Sequence, residues 1–345
     1  MQKHILITGG AGFIGTNTAD YLLSKKYQVT LFDNLSRKGS EENLKWLRKK
    51  WGKGFTFIRG DVVTDRKKLD RAVVAADAVV HLAAQVAVTT SVQDPYHDFL
   101  VNAQGTLHVL EAARMSPKKP LMIYASTNKV YGNMDHAEVM LTDAGYRYKE
   151  YEAGIAEHHG VDFHSPYGCS KGAADQYMHD YARIYGMSTV VFRQSCIYGP
   201  HQFGVEDQGW VAWFVISSLL NRPITIYGDG HQTRDVLHVQ DLARLYEMAI
   251  RNPKKVSGRI YNIGGGAKEV SSVLGAIGRL EKMIGKKIPY SFADWRPGDQ
   301  KVYISHIDKI KQDIGWEPQI SFDKGLKTLM NWAASEEKLL KRIVA

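Results

Sequence analysis

His4-Ile-Leu-Ile-Thr8-Gly9-Gly-Ala-Gly12-Phe-Ile-Gly15 reads as a buried strand, a glycine-rich turn and the start of an amphipathic helix that runs to about Lys25. Glycines spaced this way permit a tight turn and close backbone approach, and the helix N-terminus behind them can hold a pyrophosphate. The spacing is Gly-x-x-Gly-x-x-Gly, and alone it would describe any tight βα turn. Its surroundings decide the matter. Gln28-Val-Thr-Leu-Phe-Asp33 follows as a second strand, ending in an acid 18 residues after Gly15. A carboxylate there can accept both hydroxyls of an adenosine ribose and repels a 2′-phosphate, which predicts a dinucleotide site and favours NAD over NADP. Arg37 on the next loop weighs slightly the other way, although a lone loop arginine is more often solvated.

Outward from this unit the βα alternation continues. Phe55-Thr-Phe-Ile58 leads to Gly60-Asp61-Val62, and Ala78-Val-Val-His-Leu82 opens into Ala83-Ala-Gln85. A helical run from about Tyr96 to Arg114 contains Asn102, and Pro120-Leu-Met-Ile-Tyr-Ala125 ends in Ser126-Thr127-Asn128-Lys129. Such alternation predicts an α/β fold, a Rossmann-type doubly wound parallel sheet, with ligands at the carboxyl ends of its strands. Asp61 and Thr127 belong on that rim. The rhythm breaks over residues 133–164, expected to be a loop insertion with one short helix that delivers His164 beside the next helix.

That next helix begins Ser165-Pro-Tyr167-Gly-Cys-Ser-Lys171 and continues to about Tyr185. Four residues is roughly one helical turn, so the phenol and the ammonium share a face. A nearby cation favours phenolate, which suits a tyrosine acting as a base near neutral pH. Beyond the strand Ser188–Arg193 and Gln194 the pattern loosens into a smaller α+β region. The expected division is a dinucleotide-binding domain over 1–193 and a substrate domain over 194–345, with late segments returning to the first.

Composition excludes several classes. The 345 residues carry 45 Lys and Arg against 36 Asp and Glu, a balance of +9 spread over dispersed pairs such as Lys25-Lys26 and Lys254-Lys255. No recognition helix or aromatic-basic platform accompanies the lysines, so nucleic acid is not an expected partner. Trp210–Leu220, the longest strongly apolar run, is too short to span a bilayer. Cys169 and Cys196 make neither a disulfide framework nor a metal cluster. Met1-Gln-Lys leads straight into a strand without a signal-peptide core, which makes the cytoplasm the expected address.

With Gly9-x-x-Gly12-x-x-Gly15, Thr127 and Tyr167-x-x-x-Lys171 placed, the chain resembles the extended short-chain dehydrogenase/reductase family, in its nucleotide-sugar epimerase and dehydratase branch. The match runs on through Arg193, Tyr198-Gly-Pro200, Arg234-Asp, His238-Val, Asp241 and Arg296-x-Gly-Asp299. The resemblance implies a triad of Thr127, Tyr167 and Lys171 that moves a sugar hydroxyl proton while a bound NAD carries the hydride. For the cofactor it implies Gly9, Gly12, Phe13, Ile14, Gly15, Asp33, Asn34, Ser36, Arg37, Asp61, Val62, Leu82, Ala83, Gln85, Asn102 and Gln194, besides Tyr167 and Lys171. For the substrate it implies Arg234 and Arg296 as diphosphate clamps, Thr225 and Tyr227 at the base, and Thr127, His164, Cys196, Gly209 and Trp210 around the sugar.

Departures from the family pattern narrow the reaction. The 4,6-dehydratases carry Asp-Glu directly after the threonine, because elimination needs its own acid and base; here Asn128-Lys129 stands there. Cys196 and Gly209-Trp210 occupy positions where 4-epimerases usually present asparagines. Ser126–Gly132, Asp162–Gly172 and Phe203–Trp210 resemble a narrower group, the CDP-paratose 2-epimerases, which implies reversible inversion at C2 of a CDP-linked hexose by a homodimer or homotetramer. A UDP-sugar 4-epimerase and a non-catalytic NAD-sensing regulator are the alternatives.

Overall fold

The computed structural model describes residues 2–296 and 298–344. Seven strands, β1 (His4–Thr8), β2 (Gln28–Asp33), β3 (Thr56–Arg59), β4 (Ala78–His81), β5 (Leu121–Thr127), β6 (Thr189–Gln194) and β7 (Arg259–Ile263), form one parallel sheet in the order β7-β6-β5-β4-β1-β2-β3. This is the doubly wound architecture that the βα alternation predicts, and its order reverses between β1 and β4. Ligands of such sheets sit outside the carboxyl ends of the strands at that reversal. Thr8 stands opposite His81 there, and Thr127 opposite Gln194 one strand further on.

Successive strand residues point to opposite faces, and both faces are buried. Ile5, Ile7, Val80, Ile123, Val190 and Phe192 pack with Ala19 and Leu22 of α1 (Phe13–Ser24) and with Leu242, Leu245 and Tyr246. Leu6, Val79, Met122, Tyr124 and Val191 pack the other way, with Leu69, Val109, Leu110 and with Ala174 and Met178 of α2 (Ser165–Tyr185). A second core gathers the helix Trp210–Leu219, Ile224, Ile226, Ile277, Leu280, Leu326 and Leu329 on the far side of the cleft. No helix among the described residues is long and apolar enough to cross a membrane.

One expectation needs correction. Residues 133–164 hold no α-helix but an antiparallel hairpin, Val139–Thr142 with Gly145–Tyr148. Tyr146-Arg-Tyr alternates as a pleated edge does, and Gly145 takes φ +116° where the chain reverses. The hairpin is tied down by Tyr146 Oη to Asp229 at 2.6 Å and Tyr148 Oη to the Val302 carbonyl at 2.7 Å. Downstream, Asn262 of β7 donates to the Ile155 carbonyl at 2.7 Å, and its own amide donates to Glu157 at 2.8 Å. The run from Tyr96 to Arg114 is helical as expected, but not uniformly α-helical. A π-helical turn over Leu100–Gln104 interrupts it, with Asn102 at the centre, a distortion that commonly marks a functional site.

Candidate active site

One cleft of about 1500 Å³ runs along the carboxyl rim of the sheet and under the second core. At one end lies the glycine turn. Gly9 takes φ +65°, and a Cβ there would meet Ala83 N at 2.8 Å; a Cβ at Gly15 would collide with the Gly9 carbonyl. Only glycine lets the turn pack this closely against the end of β4 and the start of α1. At the end of β2 the buried Asp33 accepts from the Ala11 and Leu35 amides at 3.0 and 2.7 Å. Burial pushes its pKa up, against the pull of these amides. Asn34 donates to Asp61 at 2.7 Å and accepts from the Ser36 amide at 3.0 Å, so these three order the loop beside it. Phe13, Ile14, Gly12, Arg37, Val62, Leu82, Ala83, Gln85 and Gln194 complete this wall, with Gln194 fixed by the Tyr246 hydroxyl at 2.7 Å. The residues present fit a dinucleotide: a glycine turn at a helix N-terminus that opens on the cleft, and a carboxylate at the end of β2 on the same wall.

Asn102 does not line the cleft. It lies fully buried behind it, accepting from the Gln85 amide at 2.9 Å and donating to Asp98 and Ser170, each at 3.0 Å. The π turn thus positions Gln85 and the underside of α2 rather than presenting a contact of its own.

Thr127, Tyr167 and Lys171 converge on the cleft floor, between the glycine turn and the second core. The Thr127 hydroxyl faces the phenol and favours its ionised form, yet burial outweighs this and pushes Tyr167 up to about 12. Lys171 donates to the Ala125 carbonyl at 2.6 Å and stands 4.2 Å from the centre of the Tyr124 ring. Burial depresses its pKa to about 7, with Asp175 and Asp98 opposing. Of the charged groups near the phenol, the Arg37 guanidinium favours the phenolate and the Asp98 carboxylate opposes it; burial in turn depresses Arg37.

Beneath the triad lies a network that the spacing alone does not reveal. Asp175, one turn after Lys171, forms a bidentate pair with Arg193 at 2.9 and 3.0 Å and accepts from Ser126 at 2.7 Å. Arg193 also donates to Tyr131 Oη at 2.9 Å, and Tyr131 donates to Asn262 at 2.8 Å. The i, i+4 relation of Lys171 and Asp175 was the available signal; the partner on β6 was not.

On the opposite wall, Arg234 pairs with Asp299 at 2.7 Å. Arg296 pairs with Asp207 at 2.9 Å and lies 3.8 Å from the centre of the Tyr227 ring. Pro297, within the Arg296-x-Gly-Asp299 motif, lies outside the described residues. Cys196 accepts from Trp210 Nε1 at 3.4 Å, and Gly209 caps the Trp210 helix at φ +77°. Thr225 stands on the same wall. His164 does not join them. It is exposed at the N-cap of α2, off the cleft, with Nε2 3.6 Å from Asp162. Proline at the start of α2 and a left-handed Ser165 turn the backbone there. Cys169 is exposed too, with its thiol 3.6 Å from the Phe163 carbonyl. Lys129 and the segment 201–208, which the motifs did not assign, line the cleft.

A family model described as GDP-mannose 4,6 dehydratase matches residues 6–329. The chain belongs to this family. CDP-paratose 2-epimerase of Salmonella typhi is 43% identical over 338 residues, which cover 96% of this chain and 99% of that one. A solved structure of UDP-glucuronic acid 4-epimerase from Bacillus cereus, in complex with UDP-glucuronic acid and NAD, superposes with a TM-score of 0.83 at 29% identity, covering 96% of this chain and 99% of that chain. The dTDP-glucose 4,6-dehydratase DesIV of Streptomyces venezuelae, with NAD bound, superposes with a TM-score of 0.84 at 27% identity, covering 99% of each. The family is thus one of nucleotide-sugar enzymes in which epimerases and dehydratases share a scaffold.

Proposed function

We propose that the chain is an NAD-dependent isomerase that reversibly inverts C2 of a CDP-linked hexose. Carrying this reading is the meeting of Thr127, Tyr167 and Lys171 with the glycine turn in one cleft, in a chain 43% identical to a CDP-paratose 2-epimerase. Gly9, Gly12 and Gly15 would hold the pyrophosphate of NAD and Asp33 its adenosine ribose. When bound, NAD supplies the acceptor and donor of a hydride. Tyr167 takes the proton of the C2 hydroxyl as that carbon becomes a ketone, and returns it after the sugar has presented its other face. Thr127, beside the phenol, donates to the reacting oxygen. Lys171 stands one turn along α2 from the phenol, where Asp175 and Asp98 favour its charged form against burial. One proton and one hydride leave and return, so no net oxidation occurs.

Asn128-Lys129 after Thr127 disfavours elimination, since neither residue supplies the carboxyl acid and carboxylate base of a dehydratase. Arg234 and Arg296 would clamp the diphosphate, with Thr225 and Tyr227 near the base. Residues 1–193 then act as the dinucleotide unit and 194–345 as the substrate unit, with β7 lent back to the sheet. Exposed Tyr96 and Phe99 on the helix Pro95–Phe99, with exposed Tyr177 and Ile184 on α2, support a homo-oligomer formed through these helices; light scattering on the purified protein tests this.

The test of function is incubation of CDP-paratose or CDP-glucose in deuterated water, followed by NMR. Inversion at C2 without carbon-bound deuterium is expected. Deuterium at C2 would mean enolisation and would refute the hydride route, while inversion at C4 of UDP-glucose instead would establish a 4-epimerase. Tyr167→Phe should lower turnover roughly 10²- to 10⁴-fold, the usual contribution of acid–base catalysis, and still retain NAD.

A further inference from the structure

Each arginine expected at the diphosphate is already matched to a carboxylate, Arg234 to Asp299 and Arg296 to Asp207. Lys129 brings a second cation to the first pair. Its ammonium donates to the Gly298 carbonyl at 3.0 Å and stands 3.7 Å from Asp299 Oδ1, the same oxygen that Arg234 holds at 2.7 Å. The segment bearing Lys129 is fastened to that wall on both sides. Asn128 donates to Gln300 Oε1 at 3.2 Å, Gln300 Nε2 donates to the Gly132 carbonyl, and Arg234 donates to the Gln300 carbonyl at 2.6 Å. Thr127 and the expected clamp are thereby joined through side chains of Asn128 and Lys129.

The geometry points to Lys129 as a positioning residue for the substrate diphosphate, acting through Asp299 on Arg234. Formal charges show why. Arg234 with Asp299 alone is neutral, whereas Lys129, Arg234 and Asp299 together carry one net positive charge. With Asp299 shared, Arg234 can turn an edge of its guanidinium to phosphate oxygens while the carboxylate keeps a cationic partner. Burial raises the pKa of Asp299, yet Arg234 and Lys129 together hold it below the usual carboxylate range, as this sharing requires. Burial depresses Lys129 itself, and Asp299 pulls it back. A residue that replaces part of a dehydratase's acid–base pair thus acquires a different task in the same cleft.

The inference rests on the nucleotide-sugar reading, and its test separates the two. Native protein, Lys129→Met, Lys129→Arg and Lys129→Met/Asp299→Asn are titrated calorimetrically with CDP and with UDP. Kinetic constants for C2 inversion and thermal midpoints are measured alongside. Lys129→Met should weaken diphosphate binding about tenfold, the effect of one charge several ångströms away in a partly solvated cleft. KM should rise by a similar factor with kcat changed less than about threefold. Lys129→Arg should restore most of the affinity, and Asp299→Asn should recover part of it in the Lys129→Met background. Unchanged affinity in folded Lys129→Met, or a loss of kcat without a rise in KM, overturns the assignment. If Lys129→Met fails to fold, the double variant and Lys129→Arg decide: each keeps one net positive charge in this cluster, so a diphosphate affinity more than about tenfold below native in both would overturn it. Native protein that binds CDP or UDP yet inverts no sugar would refute the epimerase reading and leave these titrations valid.

Discussion

Replacing Arg193 by methionine keeps most of the buried volume and removes one half of an ion pair that lies directly under the triad. Asp175 is wholly buried and Arg193 nearly so, at 0% and 3% exposure. The carboxylate would then keep the Ser126 hydroxyl, the Gln176 side-chain amide and a lysine one turn away as favourable neighbours, but no paired charge in direct contact. Removing one partner of a buried pair typically costs about 3–5 kcal/mol, because the other charge is left without compensation. With a urea slope of roughly 3 kcal/mol per molar, that loss lowers the unfolding midpoint by about 1–1.7 M. Urea unfolding followed by circular dichroism measures it. A second variant, Arg193→Met/Asp175→Leu, removes both charges and should regain much of the stability, as apolar replacements of buried pairs often do. It should not regain turnover, because Ser126 would still lack the acceptor that holds the end of β5 beneath Thr127. A midpoint within about 0.3 M of native for Arg193→Met would refute the view that this pair is buried and uncompensated without its arginine. Full turnover in the double variant would refute its role in placing Thr127.

Three further outcomes follow from the same geometry. Lys171 is depressed to about 7 in the fold, below the value of about 10.4 for a free lysine, so between these pH values the unfolded chain binds the extra proton and stability should rise with pH by up to several kcal/mol; this rise should be missing in Lys171→Met, and identical pH dependence in the two proteins would disprove the shift. In Gly15→Ala the new Cβ would lie 2.7 Å from Gly10 Cα, so purified protein should lose bound dinucleotide and about 1–3 kcal/mol of stability; retention of stoichiometric NAD would contradict the close approach. His164→Ala should keep turnover within about twofold, as exposed positions commonly do, and a hundredfold loss would return His164 to the sugar site.

The parts of the molecule legible in the sequence are those specified by near neighbours. Gly9-x-x-Gly12-x-x-Gly15 needs only its own turn to read as a cradle, and Asp33 needs only the strand it ends. Strand-helix alternation gave the parallel sheet, because each buried strand is a continuous apolar run. What stayed hidden depends on partners far away in the chain. Asp175 meets Arg193 only when α2 lies across β5 and β6, and the hairpin at 139–148 is held by Asp229 and Val302. His164 shows the opposite failure. Three residues before Tyr167 looked like proximity to the reaction, but an N-cap position with an extended backbone directs it to solvent.

Lys129 joins these two lessons into a statement about chemistry. A dehydratase on this scaffold needs two proton relays, one at the oxidised carbon and one for elimination. Here the second relay's position is taken by Asn128, held at Gln300, and by Lys129, held at Gly298 and Asp299. Both side chains are engaged with the opposite wall, so neither is free to shuttle protons at a neighbouring carbon. The first relay, Tyr167 with Thr127, remains intact and faces the same cleft as the glycine turn. A site with one relay and one hydride carrier can oxidise a carbinol and reduce it again, but it cannot expel water. Inversion of a single hydroxyl-bearing carbon is the outcome that this pairing of groups permits.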